Sequence, residues 1–298
     1  MSTFALTARL VTSDHYASWL RTLGVGLFEE HYTSWQLHKG ALMPATVAPC
    51  FVNGMTPAEE KSLLEESGAL LLRYSSDPCD EETEWWYVVC DSYDARKLSS
   101  KVRNQISKGT RACSVRVISA EWLASNGYAC YLAAHSRYKN VRPSHREIFR
   151  RNILRTKGGP FEYWGVFVDD SLSGYCQCVI EEKHVTTNVI KFDPAYLKYY
   201  VSYALVTYLI QHYVVEGGSV LSNGSRSVAH DTNFQDLLLK LGFRKQFCRL
   251  NVLYRSWLGL GIGVLYPVRH LIGCLPESDS IHKLQALLFQ EELRRLCR

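Results

Sequence analysis

The sequence lacks the patterns that mark secreted, metal-binding or repetitive proteins. Its first 16 residues contain no continuous apolar region after a basic start, so we expect no secretory signal. Ten cysteines without a pair of Cys-x-x-Cys units predict reduced, buried thiols and no structural zinc or other metal. No internal repeat is visible. These absences favour a cytoplasmic protein without a disulfide framework.

Two cysteines, Cys176 and Cys178, alternate along a predicted strand. We expect their thiols to point to opposite faces of that strand. That arrangement would prevent them from binding one metal ion together.

Acidic residues are missing from the centre of the chain. Residues 95–120 contain seven Lys or Arg and no Asp or Glu, and residues 137–157 contain eight Lys or Arg against one Glu. Such a cationic band fits a tRNA backbone, a nucleotide-sugar or a polyprenyl diphosphate, and we expect no DNA partner. The alternative is a solvated helix face without a ligand.

Length and composition predict a folded protein of two domains. The chain has 298 residues, of which 47% are hydrophobic and 12% aromatic, enough for two cores of ordinary size.

The most informative segment is residues 233–254, which predicts an amphipathic helix, a Leu-Gly-Phe stop and a strand. The preceding residues predict three strands, a long buried helix and a short strand. Their ranges are 161–169, 175–180, 186–192, 196–215 and 219–221, with turns expected at 171–174 and 223–224.

This order of elements over residues 161–254 resembles the donor-binding part of GNAT-type acyltransferases. The resemblance implies that two neighbouring central strands diverge and that the acyl donor lies in the gap between them. Coenzyme A-dependent members carry a glycine-containing loop before the long helix, where backbone N–H groups bind the pyrophosphate. Residues 192–198 hold no glycine here, Pro194 removes a donor, and Asp193 either repels a diphosphate or caps the helix.

A second resemblance involves residues 93–138, which are similar to the middle of the Fem-type peptidoglycan aminoacyltransferases and their tandem-GNAT relatives. The matching piece is Lys101-Val102-Arg103-Asn104-Gln105-Ile106, close to an Arg-x-x-Ile-Arg-Lys pattern. Those proteins pair two GNAT-like lobes and use aminoacyl-tRNA or another acyl donor. The resemblance implies an α/β (α+β) chain with two lobes, each a mixed, mostly antiparallel sheet flanked by helices.

We therefore predict three regions: an N-terminal GNAT-like lobe with basic helices at 1–155, a second lobe at 156–256 and a helical tail at 257–298. In the tail, residues 257–275 are mostly apolar but contain Pro267, Arg269 and His270. They predict an interfacial element that contacts the inner face of the membrane, with Arg255 and Arg269 toward phosphate. The alternative is packing on the second lobe.

Candidate site residues follow from acyl-transfer chemistry, which needs a base, an oxyanion donor and a proton for the leaving group. The predicted catalytic residues are Glu181, Glu182, His230 and Tyr196, with His184 as an alternative base. The predicted substrate-binding residues are Arg103, Lys108, Arg226, Asn223 and Asn233. The alternatives without a role in catalysis or binding are solvated acids in a turn at 181–182 and helix capping by Thr232 or Asn233.

The leading hypothesis is N-acyl or aminoacyl transfer to an amine of a cell-envelope or glycan precursor, with aminoacyl-tRNA or acyl-CoA as donor. The second is a coenzyme A-dependent N-acetyltransferase. The third is a non-catalytic GNAT-fold protein that binds tRNA or an anionic lipid.

Overall fold

Two compact units make up the part of the chain that the computed structural model describes, which is residues 14–136, 142–228, 233–272 and 278–297. Unit 1 comprises the described residues of 1–87, 225–231 and 246–298, and unit 2 those of 88–224 and 232–245. These units do not coincide with the predicted regions 1–155, 156–256 and 257–298. The physical reason is strand pairing: Phe247–Tyr254 pairs with residues 71–79 and so joins unit 1.

Unit 1 contains one mixed sheet with helices packed against it. Its strands are β1 (Leu27–Glu30), β2 (Thr33–His38), β3 (Ala41–Pro44), β4 (Leu71–Cys79) and most of β11 (Arg244–Tyr254). Its helices are α1 (Asp14–Thr22), α2 (Pro57–Ser67), α9 (Ser256–Leu265), α10 (Arg269–Ile272) and α11 (Asp279–Leu296). The strand order is β1-β2-β3-β4-β11. Strands β2 and β3 form an antiparallel hairpin.

Helix α2 begins at a capping box and ends at a glycine. Thr56 accepts a hydrogen bond from the Glu59 N–H, and the Glu59 carboxylate accepts one from the Thr56 N–H, so two otherwise unpaired donors are satisfied. Gly68 ends the helix with a φ of 67°. This helix connects β3 to β4, which run parallel but pair only at Ala41–Leu71 and Leu42–Leu72.

Unit 2 is a second mixed sheet flanked by helices. Strand β5 (Trp86–Cys90) enters it from unit 1, followed by β6 (Ser114–Ile118), β7 (Phe161–Val168), β8 (Ser171–Glu181), β9 (His184–Phe192) and β10 (Val220–Ser225). Its helices are α3 (Ser100–Ala112), α4 (Ala120–Asn126), α5 (Tyr128–His135), α6 (Arg146–Leu154), α7 (Val201–Leu209) and α8 (Asn233–Lys240). The strand order is β5-β10-β9-β8-β7-β6. Mixed sheets flanked by helices confirm the predicted fold class.

The turn predicted at 171–174 was wrong. The β7–β8 turn lies at Asp169 and Asp170, with φ of 46° and 60°, because these aspartates accept the left-handed conformation; residues 171–174 are strand. Helices α4 and α5 follow each other directly and are separated at Gly127.

The long helix expected over 196–215 is also divided. A 3-10 turn (Pro194–Tyr199) comes first, Tyr200 takes a left-handed φ of 59°, and α7 continues into a π-helical stretch (Ile210–Glu216). Helix α3 packs against this break through Gly109, where an added Cβ would lie 2.8 Å from the Tyr200 carbonyl oxygen and 3.3 Å from the Ala204 nitrogen. The glycine allows the two helices to approach this closely.

Within the described ranges, no helix combines the length and apolar content needed to cross a bilayer.

We predict that Gly109→Ala destabilises the protein by about 1–2 kcal/mol, because overpacking against backbone outweighs the helix propensity gained over glycine. Gly261→Ala is the matched control: an added Cβ on this glycine of α9 meets nothing within 4 Å. Urea unfolding followed by circular dichroism measures both. Equal or higher stability of Gly109→Ala would contradict the close α3–α7 contact.

Candidate functional site

The candidate site of unit 2 is the place where β9 and β10 separate. These parallel strands pair at His184–Val220, Val185–Leu221 and Thr186–Ser222, and no further pair follows in their described residues. Strand β9 nevertheless continues for six residues beyond Thr186. The sheet is therefore open between the two strands past this point.

Side chains replace backbone pairing at the start of the opening. The Thr187 hydroxyl donates to the Ser222 carbonyl at 3.1 Å, and the Asn223 amide donates to the Thr187 hydroxyl at 2.8 Å. The Ser222 hydroxyl accepts from the Gly224 N–H at 3.0 Å. These bonds fix the point of divergence, because buried backbone groups that lose a ladder partner require another one.

Burial changes at the same point. Residues 185–187 of β9 and Leu221 and Ser222 of β10 are buried, whereas Val189–Phe192, Asn223 and Gly224 are partly exposed. The strands thus pass from a packed sheet to the walls of a solvent-accessible gap.

A β-bulge lies beside the gap. The β8–β9 register shifts between Gln177–Val189 and Cys178–Thr187, which leaves Asn188 as the extra residue. The Asn188 amide donates to the Gln177 side chain at 2.8 Å. Bulges redirect backbone and side-chain groups, and they are common next to active sites.

The bulge is held by a polar chain that crosses the sheet. The Gln177 amide donates to the Tyr163 hydroxyl at 2.6 Å, and that hydroxyl lies 2.9 Å from the Thr156 hydroxyl. All three side chains are buried. Because a partly satisfied buried network is costly, these bonds fix the position of Asn188.

The start of the long helix does not resemble a diphosphate-binding loop. The Asp193 carboxylate accepts from the Ala195 N–H at 2.9 Å and so caps the 3-10 turn. Gly109 of α3 packs against Tyr200, the residue before α7. Helix α3 therefore occupies space next to the N-terminus of α7.

The predicted acids lie at the other end of the β8–β9 hairpin. Glu181 pairs with His184 next to the turn, and Glu182 is in the turn with a φ of 51°. Glu181 is buried, and burial lowers the pKa of His184. These residues precede the paired stretch 184–186, whereas the gap follows it, so the structure does not bring them to the opening.

Of the other predicted catalytic residues, Tyr196 lies in the 3-10 turn that follows β9, with its ring 6.3 Å from that of Tyr199. His230 and Thr232 lie outside the described residues. Asn233 begins α8, and Asn223 lies at the opening itself.

Arg226 is engaged within unit 1. Its guanidinium donates to the Glu84 carboxylate and, at 2.9 Å, to the Glu84 carbonyl. It also lies 4.5 Å from the Trp86 ring centre and 5.5 Å from that of Phe289. These contacts hold the side chain in place, and its role in ligand binding stays a prediction.

Arg103 and Lys108 are exposed on α3. The Arg103 guanidinium donates to the carbonyl of Leu98 and, at 3.3 Å, to that of Arg96, while the Lys108 ammonium lies 6.0 Å from the Tyr200 ring centre. Lys108 is therefore placed at the same α3–α7 contact as Gly109.

A cavity of about 540 Å³ lies in unit 2 beside the start of α3. Its wall includes Lys97, Lys240, Tyr93 and Asp94. The volume suits a small ligand, but none of the predicted site residues lines it.

The expectation for the paired cysteines was wrong. Alternate residues of a strand share a face, and the Cys176 and Cys178 sulfurs lie 3.7 Å apart in the core. Burial raises the pKa of the Cys176 thiol well above its usual value.

Sequence reasoning missed Thr187, Asn188 and Gln177. The available signal was the polar run Thr186-Thr187-Asn188 inside an otherwise apolar strand, since a central strand buried on both faces is expected to be nearly continuous in apolar residues.

Comparison with known proteins gives matches of fold. The C-terminal domain of a putative lysylphosphatidylglycerol synthetase from Agrobacterium fabrum aligns over 86% of this chain and 93% of its own, with 12% identity and a TM-score of 0.56. L-PGS from Bacillus licheniformis aligns over 95% and 96%, with 10% identity and a TM-score of 0.50. FemX aligns over 80% and 89%, with 8% identity and a TM-score of 0.51. No family model and no curated protein sequence matches the chain.

The fold is that of the GNAT-type acyltransferases, as the sequence resemblance predicts. The chain shares this fold with FemX, with L-PGS and with the C-terminal synthetase domain over most of its length.

We predict that Arg226→Ala destabilises the protein by about 2–3 kcal/mol, because it removes a charge-assisted hydrogen bond and aromatic stacking from a mostly buried side chain. Arg249→Ala is the control, since Arg249 is 58% exposed and 3.8 Å from Asp77. Thermal unfolding of both variants checks this. An unchanged midpoint for Arg226→Ala would show that its contacts with Glu84 and Trp86 do not stabilise the fold.

Proposed function

We propose that the protein is an acyl- or aminoacyltransferase whose donor group enters the gap between β9 and β10. The observation that carries this proposal is the end of β9–β10 pairing at Thr186–Ser222, followed by partly exposed strand residues. An extended acyl donor in such a gap meets backbone groups that the sheet no longer pairs. Asn188 and Asn223 flank the entrance and supply neutral polar groups for orienting a carbonyl.

The start of α7 favours a donor other than acetyl-CoA held by a pyrophosphate loop. Asp193 is a fixed negative cap, Pro194 has no N–H, and α3 packs against Tyr200. A diphosphate would meet charge repulsion and few free donors.

The exposed charge of unit 2 favours aminoacyl-tRNA as the donor. Four arginines of α6 and its C-terminal cap are exposed, and no carboxylate in the described residues pairs with them: Arg146, Arg150, Arg151 and Arg155. Helix α3 adds the exposed Lys101, Arg103, Lys108 and Arg111. Positive charge of this density binds a polyanion largely through counterion release.

We expect Arg150→Gln/Arg151→Gln to weaken binding of unfractionated aminoacyl-tRNA and to reduce the slope of log Kd against log salt by about one per lost phosphate contact. Filter binding at several potassium chloride concentrations measures the slope. Lys61→Gln, on α2 of unit 1, is the control and should leave it unchanged.

Two results would refute the donor assignment. One is a slope that the arginine substitutions leave unaltered. The other is coenzyme A binding at micromolar concentration in isothermal titration, which would favour the second hypothesis, a coenzyme A-dependent N-acetyltransferase. Binding of tRNA without transfer of its amino acid to any envelope precursor would favour the third, a non-catalytic binding protein.

We also propose that the acceptor is reached at a membrane surface, because an apolar stripe is exposed along α9 and α10. Its residues are spaced three or four apart and keep 42–72% of their surface exposed: Trp257, Leu260, Val264, Val268 and Leu271. The opposite side packs Ile262 and Ile272 against Leu288 of α11. This is the amphipathic pattern of an interfacial helix.

The arginines expected to reach lipid phosphate are used inside unit 1. Arg255 donates to the Ala69 carbonyl at 2.7 Å, and Arg269 pairs with Glu292 at 3.2 Å. Insertion of the apolar stripe is therefore expected to provide most of the affinity for the membrane. The proposed acceptor is a lipid-linked or envelope precursor.

We predict that Trp257→Ser/Leu260→Ser/Val264→Ser weakens flotation with phosphatidylglycerol-containing vesicles by at least about 100-fold, since each side chain contributes roughly 1 kcal/mol or more on partial burial. Val117→Ser, a 52% exposed position on β6, is the control. If the parent protein stays in the soluble fraction, the stripe does not bind membranes.

A further inference from the structure

Arg73 places a half-buried guanidinium against the sheet of unit 1. Leu72 is the last residue of β4 that pairs with β3, and Arg73 follows it. On β3 the last paired residue is Leu42, and Met43, which follows it, contacts the Arg73 guanidinium. On its other side Arg73 stays paired with Val252 of β11. The next residue of β3 is Pro44, which has no N–H to extend the ladder. A second gap between parallel strands therefore begins at Arg73.

Few protein groups satisfy this guanidinium. It donates to the Gln290 side-chain oxygen at 3.0 Å and contacts the Met43 sulfur at 2.7 Å. Since arginine has five N–H donors, three remain without a protein acceptor in the described part of unit 1. No carboxylate in that part lies within 4.0 Å of it.

The titratable groups around Arg73 provide no negative charge. The neighbouring phenols belong to Tyr87 and Tyr254, and burial raises the pKa of both, that of Tyr254 to about 12. Burial, Lys39 and Arg73 together lower the pKa of His38, so its imidazole is neutral at pH 7. Burial also lowers the pKa of Arg73 itself from its ordinary value.

A partly desolvated cation with neutral neighbours becomes more stable when an anion joins it. Two of its remaining N–H groups form the fork that binds two oxygens of one carboxylate. The Gln290 amide, which donates to the Tyr254 hydroxyl at 3.3 Å, fixes one side of this fork. A monoanion balances the single charge, whereas a dianionic phosphate leaves one negative charge buried.

We propose that the β3–β4 gap of unit 1 binds the carboxylate of a small molecule or peptide terminus through Arg73. This site is separate from the β9–β10 gap of unit 2 and does not depend on the transfer reaction.

The test compares thermal midpoints of the full chain in acetate, phosphate and chloride at equal ionic strength. We expect acetate to raise the midpoint of the parent protein in a saturable manner, because a ligand that binds only the folded state stabilises it. Arg73→Met should abolish the rise and leave the midpoint in chloride equal or higher, since an unpaired buried charge is replaced by an apolar side chain. Arg249→Met, an exposed control, should keep the rise.

Arg73→Lys provides a second readout, because it keeps the charge but loses the fork; half-saturation should need at least about tenfold more acetate. A lowered midpoint of Arg73→Met in chloride would show that the contacts within the protein already satisfy the Arg73 charge and would overturn the proposal. No acetate effect on the parent protein, or an effect of phosphate alone, would overturn it as well.

Discussion

The structure of unit 2 depends on the interruption of backbone pairing between β9 and β10. Pairing two parallel strands satisfies their N–H and C=O groups, so an interruption inside a sheet requires other partners. Thr187 and Asn223 supply them at the edge of the gap, and the bulge at Asn188 is fixed by Gln177. Residues beyond this edge are partly exposed, which makes the gap the place in unit 2 where an extended ligand can replace a strand.

Helix packing and capping limit the space and the charge at the start of α7. Gly109 brings α3 against Tyr200, and Asp193 caps the turn before α7. A pyrophosphate at the N-terminus of α7 would therefore lie next to α3 and to the negative charge of Asp193. The exposed arginines of α6 offer a separate cationic surface. Together these features favour a large anionic donor that is held from outside the gap.

Local sequence signals predicted several elements of unit 2. Runs of apolar and β-branched residues were sufficient for β7, β8 and β9, although the β7–β8 turn lies at Asp169 and Asp170. The site was predicted less well. Glu181 and Glu182 are at the closed end of the hairpin, and Arg226 is bound to Glu84, because pairing register and a partner 142 residues away decide these positions.

By itself the sequence determined the class of fold, the cationic centre and the missing glycine loop, because these depend on residue type and local spacing. Tertiary structure alone decided where the pairing of β9 with β10 stops. It also decided that residues 246–254 join unit 1 and that Arg73 is half-buried with neutral neighbours. Strand register and the desolvation of a charge depend on residues distant in sequence, and no local pattern encodes which of them meet.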